Sequence, residues 1–310
     1  MSEIIFHHYP ISPFSEKIRL IFGMKKINWT SVMIPPIMPK PDVVALTGGY
    51  RRTPILQIGA DVYCDTALIA DVLDKLVPTP SLYPPAIAGL ARTLAQWADT
   101  TLFWTAIAYT FQPAAMSSIL GNISPEQMQA FAADRAAMRA GAPRISLSEA
   151  TVQLHEYLRR LSNMLGHGQA YLLGADASIA DFSVYHALWF IRRVAAVNSI
   201  LDSYPAVLKW MDQVAAFGHH HAEKMSSGDA LDIARNAVAS DVGTTEFVDT
   251  HGIALGEQVS VMPADYAFDP VIGELVLATH NQIAVRRQDE RAGTVVVHFP
   301  RLGFQMKRVG

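Results

Sequence analysis

The hydrophobic and polar positions change rhythm twice along this chain. Residues 3–9 (Glu-Ile-Ile-Phe-His-His-Tyr) predict a short strand, Pro10 to Ser15 a turn, and Glu16 to Phe22 a helix with Ile18, Ile21 and Phe22 on one face. Residues 28–34 alternate as a second strand. The stretch 35–50 holds Pro35, Pro36, Pro39, Pro41, Gly48 and Gly49 and reads as loop, with one helical turn at 41–46. Pro54 to Ile58 and Val62 to Cys64 predict two more strands around a Gly59-Ala60-Asp61 turn. Asp65 then opens a helix with Leu68, Ile69, Val72, Leu73 and Leu76 at helical spacing. This order implies a mixed sheet with helices packed on it.

After Pro78-Thr79-Pro80 and Pro84-Pro85 the pattern becomes helical. Candidate helices are 87–110, 124–140, 147–164, 180–193, 205–216 and 222–235, an all-α domain. The last 70 or so residues change again: five short strands at intervals of about ten residues, starting near 259, 274, 282, 294 and 304, predict a small antiparallel barrel. The expected domains are therefore 1–82, α/β; 87–235, all-α; and 243–310, a small all-β, SH3-like or similar barrel.

Composition narrows the function classes. The 310 residues are 50% hydrophobic and 17% charged, which excludes a disordered chain. The net charge of −3 supplies no field for nucleic acid or anionic lipid, and residues 243–310 carry no basic bias. Cys64 is the one cysteine, so an intrachain disulfide, a CxxC pair and a Cys-rich zinc site are excluded; it reads as a small core residue. No apolar run is long enough to span a bilayer, and the first residues lack the pattern of a signal peptide. The expectation is a cytoplasmic protein with no membrane or nucleic-acid partner.

Three positions carry candidate chemistry. Ser12, in Ser12-Pro13-Phe14-Ser15, lies where a strand turns into a helix, beside free backbone N–H groups, or it simply caps that helix. Pro54, in Arg51-Arg52-Thr53-Pro54, opens a strand. A cis bond before it would leave the Thr53 N–H and C=O free to pair with an extended peptide, the alternative being an ordinary edge-strand proline. Asp65-Thr66 starts a helix: Asp65 caps it, and the N-terminal N–H groups with the Thr66 hydroxyl can hold a carboxylate while Asp65 meets an ammonium. An amino-acid head group fits both.

These cues, in this order and followed by an all-helical segment, resemble the glutathione S-transferase family over roughly residues 1–230. The resemblance implies a thioredoxin-like first domain, glutathione as co-substrate, no metal, and a homodimer. It implies that Ser12 acts on the glutathione sulfur, that Thr53 beside cis Pro54 pairs with the cysteinyl backbone, that Asp65 and Thr66 hold the γ-glutamyl end, and that Arg52, or its neighbour Arg51, lies near the glycine carboxylate. Tyr9 is the alternative to Ser12. Ser12 and Ser15 stand at the two cysteine positions of a thioredoxin CxxC, so mixed-disulfide chemistry is disfavoured.

The expected activity is thiolate attack on an apolar electrophile. The alternative is a non-catalytic binding or dimerisation module whose β domain takes an unknown partner. Phe103, Trp104, Ile107, Tyr109 and Phe111 are candidates for an apolar pocket wall, or are helical core. Ser178 and Asp181 form an Asp variant of a capping box with a structural role. His7 and His8, on opposite faces of a strand, and His219 to His221, on a turn, are expected to be solvated.

Overall fold

The computed structural model describes residues 3–309 apart from 122, 143, 167, 241–246 and 249. The expected domain boundary at 243 falls outside the described residues. The first segment runs β1 (Ile4–His8), α1 (Pro13–Lys25), β2 (Trp29–Met33), α2 (Pro41–Thr47), β3 (Ile55–Ile58), β4 (Asp61–Cys64) and α3 (Thr66–Leu76). The helical segment follows with α4 (Ala88–Trp97), a π-helical turn (Ala98–Leu102), α5 (Phe103–Thr110), α6 (Met116–Leu120), α7 (Pro125–Arg139), α8 (Leu147–Met164), α9 (Ile179–Arg192) and α10 (Pro205–Ala215). Then come β5 (Ala222–Met225), α11 (Ser227–Asn236), β6 (Gln258–Pro263), β7 (Val271–Ala278), β8 (Gln282–Asp289), β9 (Gly293–Pro300) and β10 (Phe304–Arg308).

Local chemistry sets the helix ends. The Ser12 hydroxyl accepts the Ser15 N–H, Pro13 opens α1, and Lys26 closes it in the left-handed region at φ 53°. Asp181 in α9 accepts from the Ser178 and Leu172 N–H groups and from the Ser178 hydroxyl and Trp210 indole, so its role is structural, as expected. Burial nonetheless pushes its carboxyl above the ordinary range.

Among the described residues, ten strands form one sheet in the order β10-β6-β7-β8-β9-β4-β3-β1-β2-β5. The five strands expected at the C-terminal end are present, with β10 returning to pair with β6. What the spacing does not disclose is their attachment. β9 pairs in parallel with β4, Asp61 opposite Val296 and Tyr63 opposite His298. The ladder is pinned by His298 Nε2 donating to Asp61 Oδ1 at 2.8 Å, a buried contact.

Alternation along β1 divides the interior. Phe6 belongs to the apolar cluster shared with α1 and the helical segment. Ile5 belongs to a second cluster with Val43 of α2, Ala230 of α11 and Val259, Leu275, Val297 and Phe299 of the C-terminal strands. The C-terminal β module and the first segment therefore share one core as well as one sheet.

Two expectations are corrected. The helix predicted over 222–235 is a strand followed by a helix: β5 pairs in parallel with β2, and α11 packs on α2 and β9. His7 and His8 are buried, 1% and 3% exposed, because β1 lies between β2 and β3 with both faces covered. His7 Nε2 donates to Gln57 Oε1, while His8 accepts from Arg19 at Nδ1 and donates to Ser31. Burial, then the nearby Arg19 charge, lowers His8 to about 3; burial lowers His7 to about 4. The 219–221 turn is exposed, as expected.

Candidate functional site

A cavity of about 540 Å³ opens at the N-terminus of α3. Arg52, Thr53, Pro54, Asp65 and Thr66 all line it. The Thr53–Pro54 peptide is cis. The β3–β4 ladder begins at Ile55 opposite Cys64, so the Thr53 main chain lies beyond it, as a ligand backbone would require.

Asp65 is unusual. It stands at φ 76° and ψ 135°, a region that L residues adopt at a cost of about 1–3 kcal/mol. Its Oδ1 accepts the Ala67 N–H, which caps α3. Burial pushes its carboxyl above the ordinary aspartate range, against the pull of Ala67 N–H, Arg52 and Lys17. An incoming ammonium would supply the counter-charge that burial leaves wanting.

Behind this wall lies a polar network that the sequence reading missed. Lys17 is fully buried; its Nζ donates to Thr66 Oγ1 at 3.2 Å and to Asp99 Oδ2 at 2.6 Å. Asp99 sits in the π-helical turn and accepts from His186 Nε2 at 2.9 Å. Burial alone would raise the Asp99 carboxyl, but Lys17 and His186 hold it below its ordinary value. The network ties α1, α3 and the helical segment together under the site. No spacing rule marks a π-helical turn; its sequence trace is the single acidic residue of the stretch 87–110.

Ser12 is placed differently. It is 2% exposed and is not on the cavity wall. Its oxygen accepts the Ser15 N–H, which leaves the hydroxyl proton available. Nearby, Lys40 is buried and donates to Thr53 Oγ1 and the Arg51 carbonyl; burial lowers it to about 8. Tyr9 lies under Lys40, 5.8 Å from ring centroid to Nζ.

Of the two arginines, Arg52 faces the cavity. Arg51 is 2.5 Å from Asp134 of α7 and does not line the cavity. The apolar-wall candidates serve as packing instead. Phe103 packs at a tilt against Phe14 and His186, Trp104 meets Tyr266, and none of Phe103, Trp104, Ile107, Tyr109 and Phe111 lines the cavity. Cys64 is fully buried and burial pushes its thiol well up, consistent with a core residue. The opposite wall comes from the C-terminal module, through Asp265, Tyr266, Leu302 and Phe304 among others. No motif marks these residues. Among the described residues there is no cluster of ligands that could hold a metal ion.

Residues 6–81 match the glutathione S-transferase N-terminal domain, and residues 129–213 match the glutathione S-transferase C-terminal domain. The chain belongs to the glutathione S-transferase family. It is 41% identical to a GST-like protein from Pseudomonas syringae, with all of both chains covered and a TM-score of 0.85. That relative therefore spans the C-terminal β module as well. A glutathione S-transferase from Rhodospirillum rubrum shares the fold at 18% identity and a TM-score of 0.53, covering 69% of this chain and 88% of its own. FtsZ-localized protein A of Caulobacter vibrioides is 24% identical over 216 residues, 68% of this chain and 82% of that protein.

No described helix of this family member is long and apolar enough to cross a membrane.

Proposed function

We propose that the chain binds glutathione in the cavity beside Pro54 and activates its thiol for attack on an apolar electrophile. The observation that carries this reading is that Thr53, cis Pro54, Asp65 and Thr66 face one cavity. The ligand's γ-glutamyl carboxylate meets the α3 N-terminus and Thr66, its ammonium meets Asp65, and its cysteinyl backbone pairs with Thr53.

A free thiol has a pKa of about 8.5, so a shift of about two units makes it mostly thiolate at neutral pH. The Ser12 O–H, donating to the sulfur anion, supplies roughly 1.5–3 kcal/mol. The N-terminus of α1 adds about 0.3–1 kcal/mol. In the reaction an S–C bond forms, the bond from that carbon to its leaving group breaks, and the thiol proton goes to solvent. A homodimer and a cytoplasmic location go with this reading. An interface in that dimer would not use the β4 edge, which β9 already occupies.

A second reading, a non-catalytic binding module with a partner for the β domain, is favoured by one observation: Ser12 is 2% exposed and off the cavity wall. The relative named for its localisation with FtsZ points the same way.

The experiment is a titration of bound glutathione followed by thiolate absorbance, with an aryl-halide conjugation assay, on wild type and Ser12→Ala. Loss of about 2 kcal/mol of anion stabilisation predicts a roughly thirtyfold fall in thiolate formation with little change in affinity. An unchanged thiol pKa would move the role to Tyr9 or a backbone N–H. Binding without any thiolate signal in wild type would establish the second reading.

A further inference from the structure

A row of aromatic rings runs from the first turn of α1 to the C-terminal module. Phe14, two residues beyond Ser12, packs on Phe103 with centroids 4.6 Å apart. Phe103 meets Trp104 at 5.2 Å, and Trp104 meets the Tyr266 ring edge-on at 5.1 Å. Phe14 and Tyr266, the two ends of the row, line the cavity, whereas Phe103, Trp104 and the buried Ser12 do not. The row joins all three parts of the chain and begins beside Ser12.

Phe14, Phe103 and Trp104 are carried by helices. Tyr266 stands in the loop 264–270 between β6 and β7. Arg52 ties this loop to the first segment: its Nη2 donates to the Asp265 carboxylate and to the Tyr266 carbonyl, and its guanidinium lies 3.7 Å from the centre of the Tyr266 ring. Asp269 adds a weaker tie, 3.9 Å from Arg51. The Ala267 N–H donates to the Met138 carbonyl of α7 at 2.7 Å, which ties the loop to the helical segment. Asp265 and Phe268 are exposed, and no residue of 264–270 belongs to either apolar cluster. Ala267 holds a left-handed φ of 52°, a conformation that costs an L residue energy. Polar ties, an exposed and strained backbone and no anchor in the core mark a segment that opens well short of global unfolding.

Resting on the reading that Ser12 acts on a bound thiol, we propose that residues 264–270 are a gate between the cavity and Ser12, latched by Arg52 on Asp265 and closed by Tyr266 against Trp104. The structure holds the closed state. Opening draws Tyr266 off Trp104 and joins the cavity to the first turn of α1, so that a thiol reaches Ser12; closing again keeps water from the thiolate. The appended module thereby controls access to chemistry carried by the rest of the chain.

The test is thiol labelling of the full chain by N-ethylmaleimide, read by mass spectrometry, in a Ser12→Cys background. The introduced thiol lies at a helix N-terminus and is reactive once reached. Cys64 is fully buried and reports global unfolding in the same sample. Labelling through a gate follows the population of the open form. The rate is expected to rise about three- to fivefold in Asp265→Asn, which weakens a partly exposed ion pair. It should rise about tenfold in Tyr266→Ala, which loses the Trp104 edge and the stack on Arg52. Asp265→Glu should keep the slow rate, and Cys64 should stay unlabelled throughout. An unchanged rate in Asp265→Asn removes the latch, and acceleration in Tyr266→Ala alone makes Tyr266 a fixed cover; either overturns the gate. So does labelling at the rate of a free cysteine before the loop is altered, or acceleration that Cys64 shares. No glutathione takes part, so the gate can fail with the glutathione site standing, and the thiolate titration can fail with the gate standing.

Discussion

The two walls of the cavity are built on opposite principles. One rests on backbone and on buried polar groups: the cis Pro54 edge, the strained Asp65, and Thr66 backed by a fully buried lysine. The other rests on side chains in loops of the C-terminal module, such as Asp265 and the 74% exposed Leu302. Groups of the first kind cannot move without disturbing the core. Groups of the second kind are more exposed, although Asp265 also neutralises the largely buried Arg52. The contrast sets a backbone-held wall against a wall of loop side chains on the same cavity.

The largest effect that would test the contrast lies under the first wall. Lys17→Ala leaves Asp99 buried with only His186 as partner and takes a donor from Thr66. Removing one member of a buried pair predicts a loss of about 3 kcal/mol in urea unfolding. A loss below about 1 kcal/mol would mean that this wall is no more rigid than its counterpart.

The next effect is a pH dependence in the sheet that carries the wall. His7 stays neutral in the folded chain down to about 4, whereas the unfolded chain protonates it near 6.5. The unfolded state therefore binds more protons between those values, and stability falls as pH drops from about 6.5 to about 4, by about 3 kcal/mol for this group. Asp61, Glu16 and Asp99 act in a lower window. Burial raises each of them, but their partners leave each below its ordinary value. Their contribution is present above about 4 and is lost as pH falls through the depressed values. Chemical denaturation across this range, compared with His7→Gln, should show a flatter slope for the variant between pH 6.5 and 4.

The smallest effect on stability is the sharpest for function. Asp65→Gly relieves the φ 76° strain, loses a cap worth a few tenths of a kcal/mol over Gly, and adds chain entropy. The net change is expected within about 1 kcal/mol. Glutathione affinity should still fall by about tenfold or more, since the ammonium partner is gone. If binding survives, the strain at Asp65 serves no ligand and the first wall loses its functional meaning.

The same contrast explains what could be read from the sequence. Pro54, Asp65 and Thr66 announce themselves because strand openings and helix caps have local chemistry. Ser12 was equally legible as a cap, and its burial away from the cavity was not, because that depends on what packs over the first turn of α1. Ala-Glu-Lys-Met at 222–225 carries no strand signal; it becomes β5 only because the edge of β2 is there to pair with it. His7 and His8 alternate as a half-exposed strand would, and only the flanking strands and covering layers bury both. Asp265 and Tyr266 reach the site through the β4–β9 pairing, a contact between distant parts of the chain for which no short motif exists.

That pairing also sets an order of events during synthesis. β4 lies near the beginning of the chain and is an edge until β9 arrives, when Asp61 finds Val296. At a translation rate of about 5–20 residues per second, the nascent first segment carries an unpaired strand edge for some ten to fifty seconds. An edge of that kind recruits other strands. The short β4, Asp-Val-Tyr-Cys, limits the hazard by its length and by the carboxylate at its first position. The carboxylate that His298 later claims thus stands at the end of β4 while that edge is still unpaired.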